Sequence, residues 1–248
     1  MPTLPDKLPA IGATIFSRMS QLAAQHGAIN LGQGFPDFDC DPALLEAVNR
    51  ALHAGHNQYP PMPGIPLLRQ RVAAQLLGCH GLGYDADAEI TITAGATQAL
   101  FTAIQCSVGA GDEVILIEPA YDSYIPAIRL AGATPVGVPM TADYRIDWAA
   151  VRAAVTPRTR ALILNTPHNP SGTVASEADL QALAALAEQH DLIVISDEVY
   201  EHMVFDGQTH QSVARHPALA ARSFRSPPSA RPSTSPAGRS DSWPRPQP

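Results

Sequence analysis

Two short runs of consecutive apolar residues constrain the fold of this chain more than any other feature. They are residues 161–164 (Ala-Leu-Ile-Leu) and 192–195 (Leu-Ile-Val-Ile). Strands covered on both faces read as continuous apolar runs, whereas strands that face water on one side alternate. The two runs therefore predict central strands of a parallel sheet that helices cover on both sides.

Helical and strand-like stretches alternate along most of the chain around these runs. Further β-rich runs occupy residues 89–93, 113–117 and, more weakly, 134–138. Helix signals are Asp41-Pro42, which opens a helix that Gly55 closes, the apolar period of residues 67–77, and the capping box of Ser176 with Asp179. This alternation is typical of an α/β fold.

Composition and charge exclude several classes of partner. The 248 residues carry a net charge of −7 and no basic patch, which argues against nucleic acid and membrane surfaces. No apolar run approaches the ~18 residues that span a bilayer. Polar, proline-containing sequence follows Met1 instead of a signal segment, so a cytoplasmic location is expected. Cys40, Cys79 and Cys106 lack metal-ligand spacing, and we expect buried reduced thiols and no metal.

Polar or glycine-containing loops follow four of the predicted strands, where ligands bind in open α/β sheets. The first contains Gly95, Ala96 and Thr97 at the start of a helix, where small residues let backbone amides approach an anion. An ordinary strand-to-helix turn is the alternative. The second loop contains Tyr121, whose ring either lies against a planar ligand or packs in the core.

The third and fourth loops follow the two apolar strands themselves. Asn169 precedes a proline, and its amide either donates to a ligand oxygen or belongs to a simple turn. His168 beside it is interpreted as a packing or surface residue. Asp197 follows the last strand, and its carboxylate either pairs with a ligand cation, such as a protonated ring nitrogen, or caps a helix.

Taken together, the order and spacing of these loops resemble the class I aminotransferases of pyridoxal-phosphate fold type I, in the branch of methionine and kynurenine aminotransferases. The resemblance covers residues 10–224. The motifs that carry it are residues 30–37 (Asn-Leu-Gly-Gln-Gly-Phe-Pro-Asp), 57–64 (Asn-Gln-Tyr-Pro-Pro-Met-Pro-Gly), 93–97, 118–124, 165–172 and 196–202. It implies an N-terminal arm over residues 1–40 and an incomplete large, cofactor-binding domain over residues 41–224, with a mostly parallel sheet flanked by helices.

The resemblance also implies a role for individual residues and a cofactor, pyridoxal 5'-phosphate. The implied contacts are the cofactor phosphate for Ala96 and Thr97, the ring face for Tyr121, the phenolic oxygen for Asn169 and Tyr200, the ring nitrogen for Asp197, the partner's phosphate for Tyr59, and the pocket of the substrate carboxylate for Gly34. The implied substrates are an amino acid and a 2-oxo acid. A homodimer is implied for the intact fold, although not for a fragment of it.

One residue of the family pattern is missing. Family members carry a Schiff-base lysine in a Ser-Ser-Phe-Gly-Lys-Thr stretch some tens of residues after the aspartate motif, and it also moves the substrate proton. Lys7 is the only lysine here, and it lies outside every motif. No catalytic residue is therefore assigned, and this chain is expected to be inactive.

The sequence changes character at Arg225. From there to Pro248 it is mostly Ser, Pro and Arg, which predicts disorder over residues 225–248. Back-translation of this tail in a shifted frame permits Val-Ser-Ser-Phe-Gly-Lys-Thr, with the lysine codon across Ala230 and Arg231. We therefore expect a frameshift near Phe224, with a natural low-complexity tail as the alternative. The strands lost in this way are expected to lie between those at residues 89–93 and 192–195.

Three functions remain open from sequence. The first is transfer of an amino group from an L-amino acid, with methionine or an aromatic residue as the favoured donor, to a 2-oxo acid. The second is a carbon–sulfur lyase built on the same cofactor. The third is a non-catalytic protein that binds the cofactor or a full-length subunit. Covalent trapping of the cofactor by borohydride separates the enzymes from the binding protein.

Overall fold

The computed structural model describes residues 6–8, 12, 14–32, 34 and 38–227, together with the backbone of residues 241–244. Its helices are α1 (Ile15–His26), α2 (Pro42–His53), α3 (Pro66–His80), α4 (Ala96–Ser107), α5 (Tyr124–Leu130), α6 (Trp148–Ala154), α7 (Glu177–His190) and α8 (Pro217–Ala220), with one 3-10 turn at Val213–Arg215. Its strands are β1 (Ile90–Thr93), β2 (Glu113–Glu118), β3 (Thr134–Pro139), β4 (Thr159–Asn165), β5 (Ile193–Asp197), β6 (Ser223–Ser226) and β7 (Asp241–Pro244).

The main sheet is parallel throughout. Its strand order is β3-β2-β4-β5-β6, and all four neighbouring pairs run parallel. Strand β1 pairs with β7 in antiparallel orientation, and β7 also contacts β6. The α/β prediction, with a mostly parallel sheet flanked by helices, is confirmed.

Strand β4 shows why the central strands read as unbroken apolar runs. Ala161 and Ile163 face a core cluster that contains residues of α4 and α5. Leu162 and Leu164 face a second cluster that contains residues of α6 and α7. Each of these four side chains is at most 2% exposed, so neither face of the strand has room for a polar residue.

The helix boundaries follow local chemistry. The Asp41 carboxylate accepts a hydrogen bond from the Ala43 amide at 2.8 Å, which caps α2 as predicted. The capping box of α7 is also present, with Ser176 and Asp179 bonded reciprocally. The end of α2 differs slightly, because Ala54 rather than Gly55 is its C-cap residue. Helix α3 extends beyond the predicted residues 67–77 at both ends.

The expectation of disorder from residue 225 onward is wrong for part of that segment. Arg225 and Ser226 lie in β6, which pairs with β5, and residues 241–244 form β7. The edge of β5 offers unpaired backbone groups that β6 satisfies, and buried carboxylates compensate the charge of Arg225. The positions between β1 and β5 that were expected to be vacant are filled by these two strands. Residues 228–240 and 245–248 lie outside the described residues.

Two further expectations about the chain are modified. The thiols of Cys40, Cys79 and Cys106 are free, as predicted, but those of Cys79 and Cys106 are exposed rather than buried. The expected arm of residues 1–40 contains α1, none of whose residues is buried. Within the described residues, no helix combines the length and apolar character that crossing a membrane requires.

Candidate functional site

The candidate site lies where β4 and β5 end. Asn165 is the last residue of β4 and Asp197 the last of β5, and the two are partners in the sheet register. The Asn165 amide donates to the Asp197 carbonyl at 3.0 Å, which ties the two strand ends together. Since both strands are parallel, the loops that follow them emerge at one edge of the sheet.

The Asp197 carboxylate is buried and held by two neutral donors. The Tyr124 hydroxyl donates to one oxygen at 2.6 Å, and the Val199 amide donates to the other at 3.2 Å. Burial, together with the negative charge of Asp197, raises the pKa of Tyr124 well above its usual value. Tyr124 therefore stays a protonated donor at neutral pH. Tyr124 lies within the motif of residues 118–124, but the sequence gives no signal for this role.

A second set of hydrogen bonds links the loops after β4 and β5. The Asn169 amide side chain lies 3.4 Å from the Tyr200 hydroxyl. The backbone amide of Asn169 donates to the Asn165 side chain at 2.7 Å. Asn165 therefore connects Asn169 to Asp197, a role that sequence reasoning missed. Its only signal was an amide residue at the end of an apolar strand.

The second loop places an aromatic ring next to this set. The ring of Tyr121 packs edge to face on that of Tyr124, with 5.7 Å between centroids and 76° between planes. Tyr121 is half-buried and packs against the same core cluster as Ala96. Four residues named from the sequence, Tyr121, Asn169, Asp197 and Tyr200, are thus brought together.

The first loop opens α4 beside this group. Gly95 is buried and has a φ of +94°, a conformation that favours glycine, and Ala96 and Thr97 are the first two residues of the helix. The amides of a first helical turn have no partner within the helix, and they attract anions. Thr97 is exposed. This helix end can therefore receive a phosphate.

Tyr59 and Gly34 are not brought to the group within one chain. The Tyr59 side chain is fully exposed, and among the described residues nothing lies within 4 Å of a Cβ placed on Gly34. The loop that carries Tyr59 is nevertheless held close to β1, because the Ile92 amide donates to the Pro63 carbonyl at 3.0 Å. Gly64, at a φ of +101°, permits this approach, since a Cβ there would lie 2.5 Å from Ile92.

A buried cluster of titratable side chains lies next to Asp197, and the sequence did not predict it. It comprises His80, Glu198, Glu201, His210 and Arg225. Burial by itself would raise the pKa of Glu198, but Arg225 and His210 hold it far below its usual value. Ligand atoms of Glu198, Glu201 and His210 lie within 4.8 Å of one another, a spacing that suits a metal ion. Arg225 already contacts both carboxylates and supplies a positive charge there.

His168 has a packing role, as interpreted from the sequence. It is buried, and its Nδ1 lies 2.7 Å from the Ser171 hydroxyl. Burial lowers its pKa, so the ring is neutral at neutral pH. It lines a cavity of about 20 Å³ together with Met140 and Asp179, which is room for one water molecule and not for a cofactor.

A parallel α/β sheet with acidic, amide and aromatic side chains at its carboxyl edge is typical of domains of the open α/β class, which bind ligands at that edge. Residues 26–224 match the family "Aminotransferase class I and II". The chain belongs to this family.

Known relatives agree with this assignment. The chain is 49% identical over 223 residues to methionine aminotransferase of Escherichia coli, which covers 89% of the chain and 58% of the relative. It is 48% identical over 222 residues to a probable N-succinyldiaminopimelate aminotransferase of Mycobacterium tuberculosis, covering 88% and 56%. Kynurenine–oxoglutarate transaminase 1 of Rattus norvegicus is 37% identical over 232 residues, covering 88% and 55%.

Solved structures show the same fold. A crystal structure of the Escherichia coli methionine aminotransferase superposes with a TM-score of 0.94 at 45% identity, covering 99% of this chain and 65% of that one. N-succinyldiaminopimelate aminotransferase from Mycobacterium tuberculosis gives 0.93 at 44% identity, covering 99% and 64%. The chain thus spans somewhat more than half the length of these relatives.

Proposed function

We propose that this chain is the cofactor-binding part of a pyridoxal-phosphate-dependent aminotransferase, which transfers the amino group of an L-amino acid to a 2-oxo acid. The hydrogen-bonded group at the ends of β4 and β5 carries the proposal. It places a buried carboxylate (Asp197), an amide–hydroxyl pair (Asn169 and Tyr200) and an aromatic ring (Tyr121) side by side. A protonated pyridine ring with a phenolic oxygen requires these three kinds of partner.

Each residue has a distinct task in this proposal. Asp197 keeps the ring nitrogen protonated, and Tyr124 orients that carboxylate from behind. Asn169 and Tyr200 hold the phenolic oxygen, and Tyr121 covers one face of the ring. When bound, pyridoxal phosphate withdraws electrons from the substrate carbon that bears the amino group. The residues of the chain hold the ring in the charge state in which this withdrawal is strongest.

The phosphate and the neighbouring subunit occupy the other end of the site. Ala96 and Thr97 at the start of α4 hold the phosphate through backbone amides. Tyr59 reaches the phosphate of a second copy in a homodimer, a role that its full exposure supports. Gly34, beside which the described part of the chain leaves room, lines the pocket of the substrate carboxylate.

The proposed amino donor is methionine or an aromatic amino acid. Relatives named for methionine, kynurenine and aromatic amino acids support this choice. Substrate competition in a frame-corrected protein, in which residues 1–224 are followed by the lysine-containing stretch that the shifted frame permits, tests it. Preferred turnover of aspartate over methionine and phenylalanine would contradict it.

The 248 residues by themselves are proposed to bind the cofactor without attaching it covalently. The single lysine, Lys7, precedes α1 and belongs to none of the loops described. Transamination also needs a base that moves the substrate proton. Tyr124 is unsuited because its pKa is raised, and His168 is buried and bonded to Ser171. We therefore propose that this chain does not catalyse transamination.

Titration of the purified chain with pyridoxal phosphate, followed by visible absorbance, tests both statements. We expect saturable binding that Asp197→Ala weakens at least tenfold and that Asp206→Asn, at an exposed loop position, leaves unchanged. Borohydride followed by peptide mapping should find no cofactor on any residue of the site. Absence of binding would refute the cofactor proposal, and turnover of methionine with a 2-oxo acid would refute the proposed inactivity.

A further inference from the structure

We propose that Arg225 is a positioning residue for the candidate site, because it anchors the turn after β5 by joining the Glu198 and Glu201 carboxylates. The effect on cofactor affinity rests on the proposed function, whereas the anchoring itself does not. The Arg225 side chain is bonded to Glu198, Glu201 and His80, and none of these three residues is assigned to the cofactor. Arg225 acts through the two glutamates.

The contacts of Arg225 span the turn from one end to the other. Its Nε donates to Glu198 at 2.6 Å, and its Nη2 donates to Glu201. Arg225 is 1% exposed, Glu198 is fully buried and Glu201 is 5% exposed. Since β6 pairs with β5, the guanidinium is held by a neighbouring strand and not by the turn it anchors.

The two glutamates that Arg225 binds each follow a residue of the candidate site in the sequence. Asp197 directly precedes Glu198, and Tyr200 directly precedes Glu201. The Glu198 amide donates to the Ser226 carbonyl at 3.0 Å, and the Glu201 amide donates to the Glu198 carbonyl at 2.9 Å. Each glutamate is the covalent neighbour of a site residue. A displacement of Glu198 therefore moves the Asp197 carboxylate, and a displacement of Glu201 moves the Tyr200 hydroxyl.

Charge balance explains why the turn depends on arginine. The titratable groups around Arg225 come from every element packed on it: His80 at the end of α3, Tyr84 before β1, Glu198, Glu201 and His202 after β5, and His210 before the 3-10 turn. Without the guanidinium, Glu198 keeps the Ser196 hydroxyl, the Val213 amide and His210, and Glu201 keeps His80, but neither buried carboxylate keeps an arginine beside it. Such carboxylates either take up protons or move into water.

Amide hydrogen exchange on the full chain tests the anchoring directly. Arg225→Met keeps the length of the side chain and removes its charge. We expect the amides of Val199, Glu201 and Met203, which are bonded within the turn, to exchange at least tenfold faster, while those of β4 stay unchanged. Arg215→Met, at an exposed arginine, is the matched control. Unchanged exchange in the turn overturns the proposal.

Arg225→Lys keeps the test decisive if Arg225→Met does not fold. One ammonium reaches one carboxylate, so we expect faster exchange at Glu201 and Met203 and unchanged exchange at Val199. If Arg225→Lys exchanges like the original chain at all three amides, the proposal that Arg225 must bind both carboxylates at once is overturned.

Cofactor affinity provides a readout that loss of packing would not move. At pH 8, Arg225→Met should bind pyridoxal phosphate at least tenfold more weakly than the original chain. At pH 6 the difference should shrink to about threefold or less, because the uncompensated carboxylates become protonated. A difference that is equal at both pH values overturns positioning by charge. If the original chain does not bind the cofactor, the proposed function fails, and hydrogen exchange still decides the role of Arg225.

Discussion

Removal of the Tyr124 hydroxyl is the sharpest test of how the buried carboxylate is held. Tyr124→Phe deletes one oxygen from a side chain that is 3% exposed and leaves the ring in place. The deleted group donates to Asp197 at 2.6 Å. Because the ring volume hardly changes, the loss reports the hydrogen bond rather than a cavity.

The expected magnitude follows from the charge of the acceptor. Hydrogen bonds to charged groups contribute roughly 1.5–3 kcal/mol, against roughly 0.5–1.5 kcal/mol for neutral pairs. Tyr124→Phe should therefore lower the free energy of unfolding by about 2 kcal/mol. For a domain of this size, that lowers the melting temperature by about 4–8 °C.

Urea unfolding of four proteins measures the effect: the original chain, Tyr124→Phe, Asp197→Asn and the double variant. In the Asp197→Asn background the same deletion should cost only about 1 kcal/mol, because the acceptor is then neutral. Tyr144→Phe, at an exposed tyrosine, is the control and should change nothing. A loss below about 0.5 kcal/mol, or an equal loss in both backgrounds, would refute the reasoning.

The same tyrosine gives the chain a dependence on alkaline pH. Its pKa in the folded protein is raised above the usual 10.0, so the folded state binds the proton more tightly than the unfolded state. The stability contributed by this group is complete below pH 10 and is lost as the pH rises further. Urea unfolding at pH 9 and 11 should show a smaller decrease for Tyr124→Phe than for Tyr144→Phe.

Three further outcomes are expected. Gly64→Ala should cost about 1–3 kcal/mol in urea unfolding, because its φ is +101° and its Cβ meets Ile92, whereas Gly78→Ala, inside α3 with open space, should gain about 0.5–1 kcal/mol. Ser176→Ala should cost about 1 kcal/mol in thermal unfolding through loss of the α7 cap. The pKa of Glu198 is lowered from 4.5, so the stability that this carboxylate contributes is present above pH 4.5 and is lost in acid. The stability of Glu198→Gln should therefore decrease less steeply below pH 4.5 than that of the original chain. An equally steep decrease would contradict this.

Local patterns were sufficient for the parts of the fold that depend on local physics. Continuous apolar runs predicted β4 and β5, since both faces of these strands are covered. The capping box of Ser176 and Asp179 predicted the start of α7, since its hydrogen bonds join residues three apart. The loops after the strands predicted where Asp197 and Asn169 lie, because parallel strands end at one edge.

Partners distant in sequence were beyond such patterns. Tyr124 and Asp197 are 73 residues apart, and nothing near either residue indicates the other. The serines and prolines that follow Arg225 predict a disordered tail. In the structure Arg225 is buried, because two carboxylates from another strand end make its burial favourable.

The sequence by itself determined strands β1 to β5, helices α2, α3 and α7, and which chemical groups stand at the ends of these strands. The tertiary structure decided the order of the strands, with β6 beside β5 and β1 beside β7, far from its neighbour in sequence. It also decided which buried charges compensate one another. The reason is physical: side-chain periodicity reports whether a segment is covered, but the identity of the covering group depends on which edges and charges meet once the layers pack.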